Sequence, residues 1–229
     1  MLFDFQTHTF LSDGALSPIE LLRRCQHAGY TAVAITDHGS PANLDSLIPA
    51  LRRDCQIAEQ EWGLIAIVGV EITHVPPGVI DSVAKQAVEA GAELIAVHGE
   101  TIAEPVEAGT NRAAIESEHV HMLVHPGLLS PELAQIARKN GTVVELSARR
   151  GHCLTNGHVA SVCREAGVPL VVNSDAHEPT DLLSEALARR VARGAGLNAD
   201  ETEAALVDNP VELLRRLGKT LPEAPAARG

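Results

Sequence analysis

Short apolar runs alternate with longer amphipathic stretches along nearly all of this 229-residue chain, and this alternation restricts the fold more than any other feature. The runs occupy residues 2–5, 31–36, 64–71, 93–97, 120–124, 142–146 and 169–173. Their length, β-branched content and flanking turn residues predict buried strands. Helical patterns lie between them. The first opens on Ser17 as N-cap, with Pro18 at the first helical position and Glu20 at the third, turns Leu21, Leu22 and Cys25 inward, and stops at Gly29. The others span 43–62, 79–90, 111–117, 131–140, 156–166 and 181–195. Strand followed by helix, seven times over and without a second composition zone, predicts an α/β chain closed into a TIM-like (β/α) barrel rather than an open doubly wound sheet. No glycine-rich phosphate loop follows any strand, which argues against a nucleotide-binding fold. Residues 199–217 read as a terminal helical pair divided at Asn209-Pro210. The expected organisation is one domain over 1–217 and a flexible tail over 218–229.

Composition supports this reading. Hydrophobic residues make up 45% of the chain, yet aromatics are limited to Phe3, Phe5, Phe10, Tyr30 and Trp62, so the core must be aliphatic, as in buried parallel strands. No apolar run approaches the roughly 18 residues of a membrane span, and no leader pattern is visible, so the expectation is a cytoplasmic protein. Cys25, Cys55, Cys153 and Cys163 are too widely spaced for a zinc knuckle or redox dithiol and are expected to be reduced. A net charge of −12 opposes sequence-independent attraction to nucleic acid. Oligomeric state is not readable from the chain. The unusual figure is eleven histidines beside so few aromatics.

Those histidines fall where the strands end. Strand one runs into Gln6-Thr7-His8-Thr9 and then Ser12-Asp13-Gly14, and strand two into Asp37-His38. Strand three ends at Glu71, strand four at His98, strand five at His125-Pro126, and strand seven in Ser174-Asp175-Ala176-His177. Barrel enzymes build their sites at this end. A lone histidine after a strand is ordinary, but one residue type recurring around a single rim points to metal ligation, because crowded imidazoles and carboxylates otherwise repel or stay unsatisfied. His27, His119, His121 and His158 fall elsewhere and read as packing or surface residues. Asp37, His74 and His152 are candidates for supporting or substrate-contacting roles.

Taken together, Gln6-Thr7-His8-Thr9, Ser12-Asp13-Gly14, Thr36-Asp37-His38, Gly69-Val70-Glu71, Val97-His98, His125-Pro126 and Asp175-Ala176-His177 resemble the PHP (polymerase and histidinol phosphatase) domain, in order and spacing, from Asp4 to about Asp181. The resemblance, closest to the stand-alone histidinol-phosphatase-like branch, implies a distorted seven-stranded (β/α) barrel binding two to three divalent transition metals and hydrolysing phosphate esters. It assigns His8, Glu71, Asp175 and position 6 to one metal, Glu71, His98 and His125 to a second, and Asp13, His38 and His177 to a third. The family's first motif is His-x-His, whereas here its first member is Gln6, whose amide oxygen is a poorer ligand than imidazole for zinc or iron.

Mixed nitrogen and oxygen donors suit Zn²⁺, Mn²⁺ or Fe²⁺ better than Mg²⁺ or Ca²⁺. The chemistry implied is attack of a metal-activated hydroxide on a small phosphate monoester, with Glu71, Asp175 and His177 as the catalytic group. Arg149 and Arg150, after the sixth strand, and Arg112 are the candidates for holding phosphate. The loop 99–110 carries Glu100, Glu104 and Glu107, and its acidity would suit a substrate bearing an amine or imidazolium. Two alternatives stay open: a nuclease-like phosphodiesterase, disfavoured by the scarcity of basic and stacking residues, and a metal-binding relic weakened at Gln6.

Overall fold

The computed structural model describes residues 1–221, so the expected tail at 222–229 lies outside the described residues. The apolar runs form β1 (Phe3–Asp4), β2 (Ala32–Ile35), β3 (His38–Gly39), β4 (Ile65–Ile72), β5 (Leu94–His98), β6 (Met122–Val124), β7 (Val143–Ser147) and β8 (Leu170–Asn173). The sheet order is β1-β2-β4-β5-β6-β7-β8, and every pairing is parallel. The seam between β8 and β1 is joined by a bridge between Thr7 and Ala176, with backbone bonds from His8 N to Ala176 O (2.8 Å) and from Asp175 N to Gln6 O (3.0 Å). Below that bridge side chains replace the ladder: Phe5 N donates to Asn173 Oδ1 (2.9 Å) and Ser174 N to Asp4 Oδ1 (3.1 Å). The result is a distorted, nearly closed seven-stranded TIM-like barrel. One short piece adds to the expected seven. β4 outlasts β2, and its upper half pairs with β3, setting His38 opposite Glu71 and Gly39 opposite Ile72.

Helices α1 (Pro18–His27), α2 (Leu44–Trp62), α3 (Ile80–Ala90), α4 (Thr110–Glu116), α5 (Pro131–Asn140), α6 (Asn156–Ala166) and α7 (Glu185–Gly194) cover the outside. Serine caps start three of them: Ser17, Ser130 and Ser184 accept from the amides of Glu20, Leu133 and Leu187 at 3.2–3.3 Å. The terminal pair is not divided as expected. α8 (Ala199–Glu203), a π-helical segment (Ala204–Asp208) and α9 (Asn209–Arg216) follow one another without a break. Pro210 follows directly on the π segment, and the wider π turn carries the chain past the proline into α9. Past α9, Lys219 Nζ pairs with Glu59 at 2.8 Å and Glu93 at 3.0 Å, so the start of the expected tail is tied to the body.

Period-two alternation splits the core into two shells. Ala66, Val68 and Val70 of β4 face the helices, whereas Ile65 and Ile67 face the barrel interior. That interior holds Phe3, Phe5, Ala34, Leu94, Met122 and Val171, and α9 plugs it from below with Leu213 and Leu214. The Phe3 and Phe5 rings stack there at 6.4 Å. Each buried leucine of the plug contributes about 1.5–3 kcal/mol.

Candidate metal centre

The inward-facing columns change character as they climb. Ala32 and Ala34 lead to Thr36 and His38, Ile65 and Ile67 to Gly69 and Glu71, and Leu94 and Ala96 to His98. Val143 leads to Glu145, and Val171 to Asn173 and Asp175. The same alternation that packs the floor therefore delivers polar groups to the C-terminal rim. His125 does not follow its column; it sits one residue past Val124 and turns in on a positive φ of 31°. Asp175 (φ 55°) and His74 (φ 52°) share this conformation, which is uncommon outside glycine and collects at functional sites.

At the rim, His8 Nε2 lies 3.3 Å from Asp175 Oδ1 and 3.6 Å from Glu71 Oε2. Glu71 Oε1 lies 3.4 Å from His125 Nε2, and the His98 and His125 rings are 4.4 Å apart. Asp13 Oδ1 lies 3.3 Å from His38 Nε2 and 3.2 Å from His177 Nε2. The structure thus brings together His8, Asp13, His38, Glu71, His98, His125, Asp175 and His177 around a cavity of about 250 Å³.

Gln6 reaches the same place but turns its oxygen away. Its Oε1 accepts from Thr36 Oγ1 at 2.7 Å, while its Nε2 faces His8 Nε2 at 3.3 Å. Asp37 is a support: it accepts from Thr9 N and Thr9 Oγ1, both at 2.7 Å, and from Ser12 Oγ at 2.5 Å. These bonds hold the loop that carries Asp13. Gly14 closes that loop, because a Cβ there would collide with the His8 carbonyl.

Several imidazoles are held by the nitrogen that faces away from the cavity. His98 Nδ1 donates to Gly99 O (3.1 Å) and His177 Nδ1 to Asp175 O (2.9 Å). His125 Nδ1 meets Glu145 Oε1 at 3.2 Å, and Asn173 Nδ2 in turn donates to Glu145 Oε2 at 2.9 Å. Such contacts leave the other ring nitrogen free to ligate.

Burial alone would lower the His38 pKa, but the Glu71 charge and the Asp13 hydrogen bond raise it to about 10. His125 follows the same logic: burial is outweighed by Glu145 and Glu71, which hold it well above the ordinary value. The carboxylates respond in kind. Burial works to raise Asp13, Glu71 and Asp175, yet His177 and His38 beside Asp13, His38 and His125 beside Glu71, and His152 and His8 beside Asp175 keep all three below their ordinary values. Asp4, at the seam, has no cationic neighbour, and burial outweighs the hydrogen bonds from Ser174 and Gln6 and raises it to about 7.

Among the described residues, six buried side-chain nitrogen or oxygen atoms have no hydrogen-bond partner, and four are His8 Nδ1, both Glu71 oxygens and His125 Nε2. Unsatisfied buried polar groups are costly, and their concentration at one rim fits a centre built to receive cations. The donor set of imidazoles and carboxylates fits Zn²⁺, Mn²⁺ or Fe²⁺.

The arginines separate. Arg149 lines the cavity, its Nη1 donating to Asp175 O at 3.3 Å. Arg150 lines a neighbouring cleft with Arg149, Ser174 and Thr180. Arg112 is not brought to the site: exposed on α4, it pairs with Glu116 (3.1 Å) and Glu132 (2.9 Å). Glu104 and Glu145 were not among the expected site residues. Glu145 had a readable signal, an acid inside the apolar run 142–146 at an inward position. Glu104, from the loop after β5, meets His98 Nε2 at 3.2 Å, His152 Nε2 at 3.1 Å and His74 Nε2 at 3.5 Å. Its negative charge is spent on the protein's own imidazoles, which hold it down at about 2, rather than offered to a cationic substrate.

Comparison with known proteins agrees with this architecture. An uncharacterized protein of Methanocaldococcus jannaschii is 45% identical over 95% of this chain and 100% of its own length. A zinc-bound histidinol phosphate phosphatase from Lactococcus lactis, solved with L-histidinol and phosphate, matches 86% of this chain and 94% of its own at a TM-score of 0.59 and 12% identity. A chain in archaeal ribonuclease P with mature tRNA matches 93% of this chain and 89% of its own at a TM-score of 0.65 and 16% identity. The PHP domain model matches residues 4–126, the span that carries Gln6 through His125, and the chain belongs to the PHP domain family.

Proposed function

We propose that the chain is a metal-dependent phosphoesterase, and that its substrate is a small phosphate monoester of the histidinol phosphate kind. The observation that carries this reading is the rim itself, where Glu71 presents two buried, unpartnered oxygens to imidazoles from three different strand ends. Divalent cations held there would acidify water and polarise a phosphoryl oxygen. Glu71 and Asp175 divide their oxygens among neighbouring imidazoles and so are placed to hold more than one cation in register. His177 and His38 grip Asp13 from two sides and set the outer edge. Arg149, at the cavity wall, is placed to take a phosphoryl oxygen and offset its charge. A cavity of about 250 Å³ suits a phosphoryl group with a small alcohol better than a polymer.

The test is orthophosphate release by metal-loaded protein from a panel of monoesters that includes histidinol phosphate, set beside cleavage of single-stranded oligonucleotides and simple diesters. Monoester turnover is the expected outcome; cleavage confined to diesters would overturn the substrate class. The similarity to a chain of ribonuclease P favours a second reading, in which the barrel binds RNA or an RNA-bound protein. The net charge of −12 opposes direct RNA contact, and salt-dependent binding of the protein to structured RNA would support it. No described helix is long and apolar enough to cross a membrane.

A further inference from the structure

The imidazole missing at position 6 has a counterpart on the opposite side of the rim. His152 enters from the short helix His152–Thr155 after β7, its backbone turned by Gly151 at φ 95°. It is buried, stacks on His125 at 4.0 Å and meets His98 edge-on at 5.7 Å. Ligand-type atoms of His98, His125 and His152 all lie within 4.8 Å of one another. Asp175 Oδ2 accepts from His152 Nδ1 at 2.7 Å, which leaves Nε2 as the free donor atom. That nitrogen and His98 Nε2 face the two oxygens of Glu104, at 3.1 and 3.2 Å. Independently, His125 Nε2 and Glu71 Oε1 are buried without partners in the same corner.

We propose that His152 is a metal ligand, so that the cation beside Glu71 is held by three imidazoles, His98, His125 and His152, with Glu104 closing the set from the loop. This rests on the reading of the rim as a metal centre and changes where its strongest site lies. Gln6 turns its oxygen to Thr36, and the imidazoles beside His8, those of His38 and His177, are both drawn to Asp13; the corner around His125 gathers three imidazoles with Glu104 on the loop side. A three-imidazole set selects zinc and its neighbours late in the first transition row over Mg²⁺ and Mn²⁺. Asp175 fixes the His152 tautomer in the carboxylate–histidine–metal arrangement that catalytic metal sites use.

The experiment loads metal-stripped full-length protein with one zinc per chain and counts coordinated imidazoles by X-ray absorption, alongside zinc affinity measured against a competing chelator. Wild type is expected to show three imidazoles, and His152→Gln two, with affinity lower by about 10–100-fold. Glu104→Gln is expected to keep three imidazoles and lose affinity. Arg112→Ala, on the exposed face of α4 and paired there with Glu116 and Glu132, is expected to change neither quantity. Circular dichroism on each metal-free variant establishes that it is folded. An unchanged imidazole count in His152→Gln overturns the proposal, as does a wild-type count below three. Orthophosphate release from monoesters by the same samples separates the two claims. Three imidazoles with no turnover of any ester would overturn the phosphoesterase reading alone, and turnover with fewer than three would overturn only the role of His152.

Discussion

Histidine is tuned in opposite directions at the two ends of this barrel. Near the floor, His121 lies just before β6, where its Nδ1 accepts from Ile95 N at 3.1 Å. Burial first, then the charges of Arg216 and His119, push its pKa down to about 4. At the rim, His38 is also buried, yet Glu71 and Asp13 carry it up to about 10. Burial is common to both, so the difference lies in the company. At the floor the charged groups near the ring are Arg216 and His119, whereas the rim surrounds its rings with carboxylates. A barrel built this way can place its stability and its chemistry at opposite ends of the same strands.

The largest test of that division is Glu71→Gln. Replacing the carboxylate shared by His8, His38 and His125 with an uncharged amide is expected to lower phosphate release by about 10³-fold, or about 4 kcal/mol of activation energy, in a protein that remains folded by circular dichroism. Turnover within tenfold of wild type would mean that the rim's central acid is dispensable. Leu213→Ala should do the reverse. It opens the floor plug and is expected to cost about 2–5 kcal/mol in urea unfolding, with zinc content unchanged after reloading. Coupled loss of metal would show that the two ends are not independent.

His121→Asn retains an acceptor for Ile95 N and removes the titration. Because the folded pKa is depressed from 6.5 to about 4, the neutral ring contributes fully above pH 6.5 and the contribution is lost as pH falls toward 4. The wild-type unfolding free energy should therefore fall by about 2–3 kcal/mol more than the variant's across that window. Parallel pH profiles would remove His121 from the comparison. The smallest effects concern the arginines. Arg149→Ala is expected to raise KM for a monoester about tenfold, near 1.4 kcal/mol, while Arg112→Ala, a surface pair, should leave KM within about twofold. Equal effects would sink the assignment of Arg149.

What could be read from the chain followed from periodicity. Strand ends were legible because β4, β5 and β8 are continuous apolar runs that stop at Glu71, at His98 and just before Asp175, and a parallel barrel collects such ends on one rim. The alternation also contained Glu145, but strand six was read for its end rather than its middle. His152 and Glu104 were less legible as ligands, because both arrive on loops whose path no periodicity dictates. Arg112 misled for a related reason: closeness to the rim in sequence does not say which face of α4 a side chain takes. The extra strand β3 and the π segment before α9 depend on tertiary pairing and packing, and neither leaves a local signature in composition.

The seam between β8 and β1 has a consequence for how the protein is made. Phe5 and Asn173, joined across it, stand 168 residues apart, and candidate ligands sit on both lips: His8 on one side, Asp175 and His177 on the other. Contacts this distant in sequence are slow to form, and a chain emerging from the ribosome presents its N-terminal strands first. A nascent chain that has exposed His8, Asp13 and His38 still lacks Asp175 and His177. The full set of candidate ligands is therefore assembled only when the last strand takes its place.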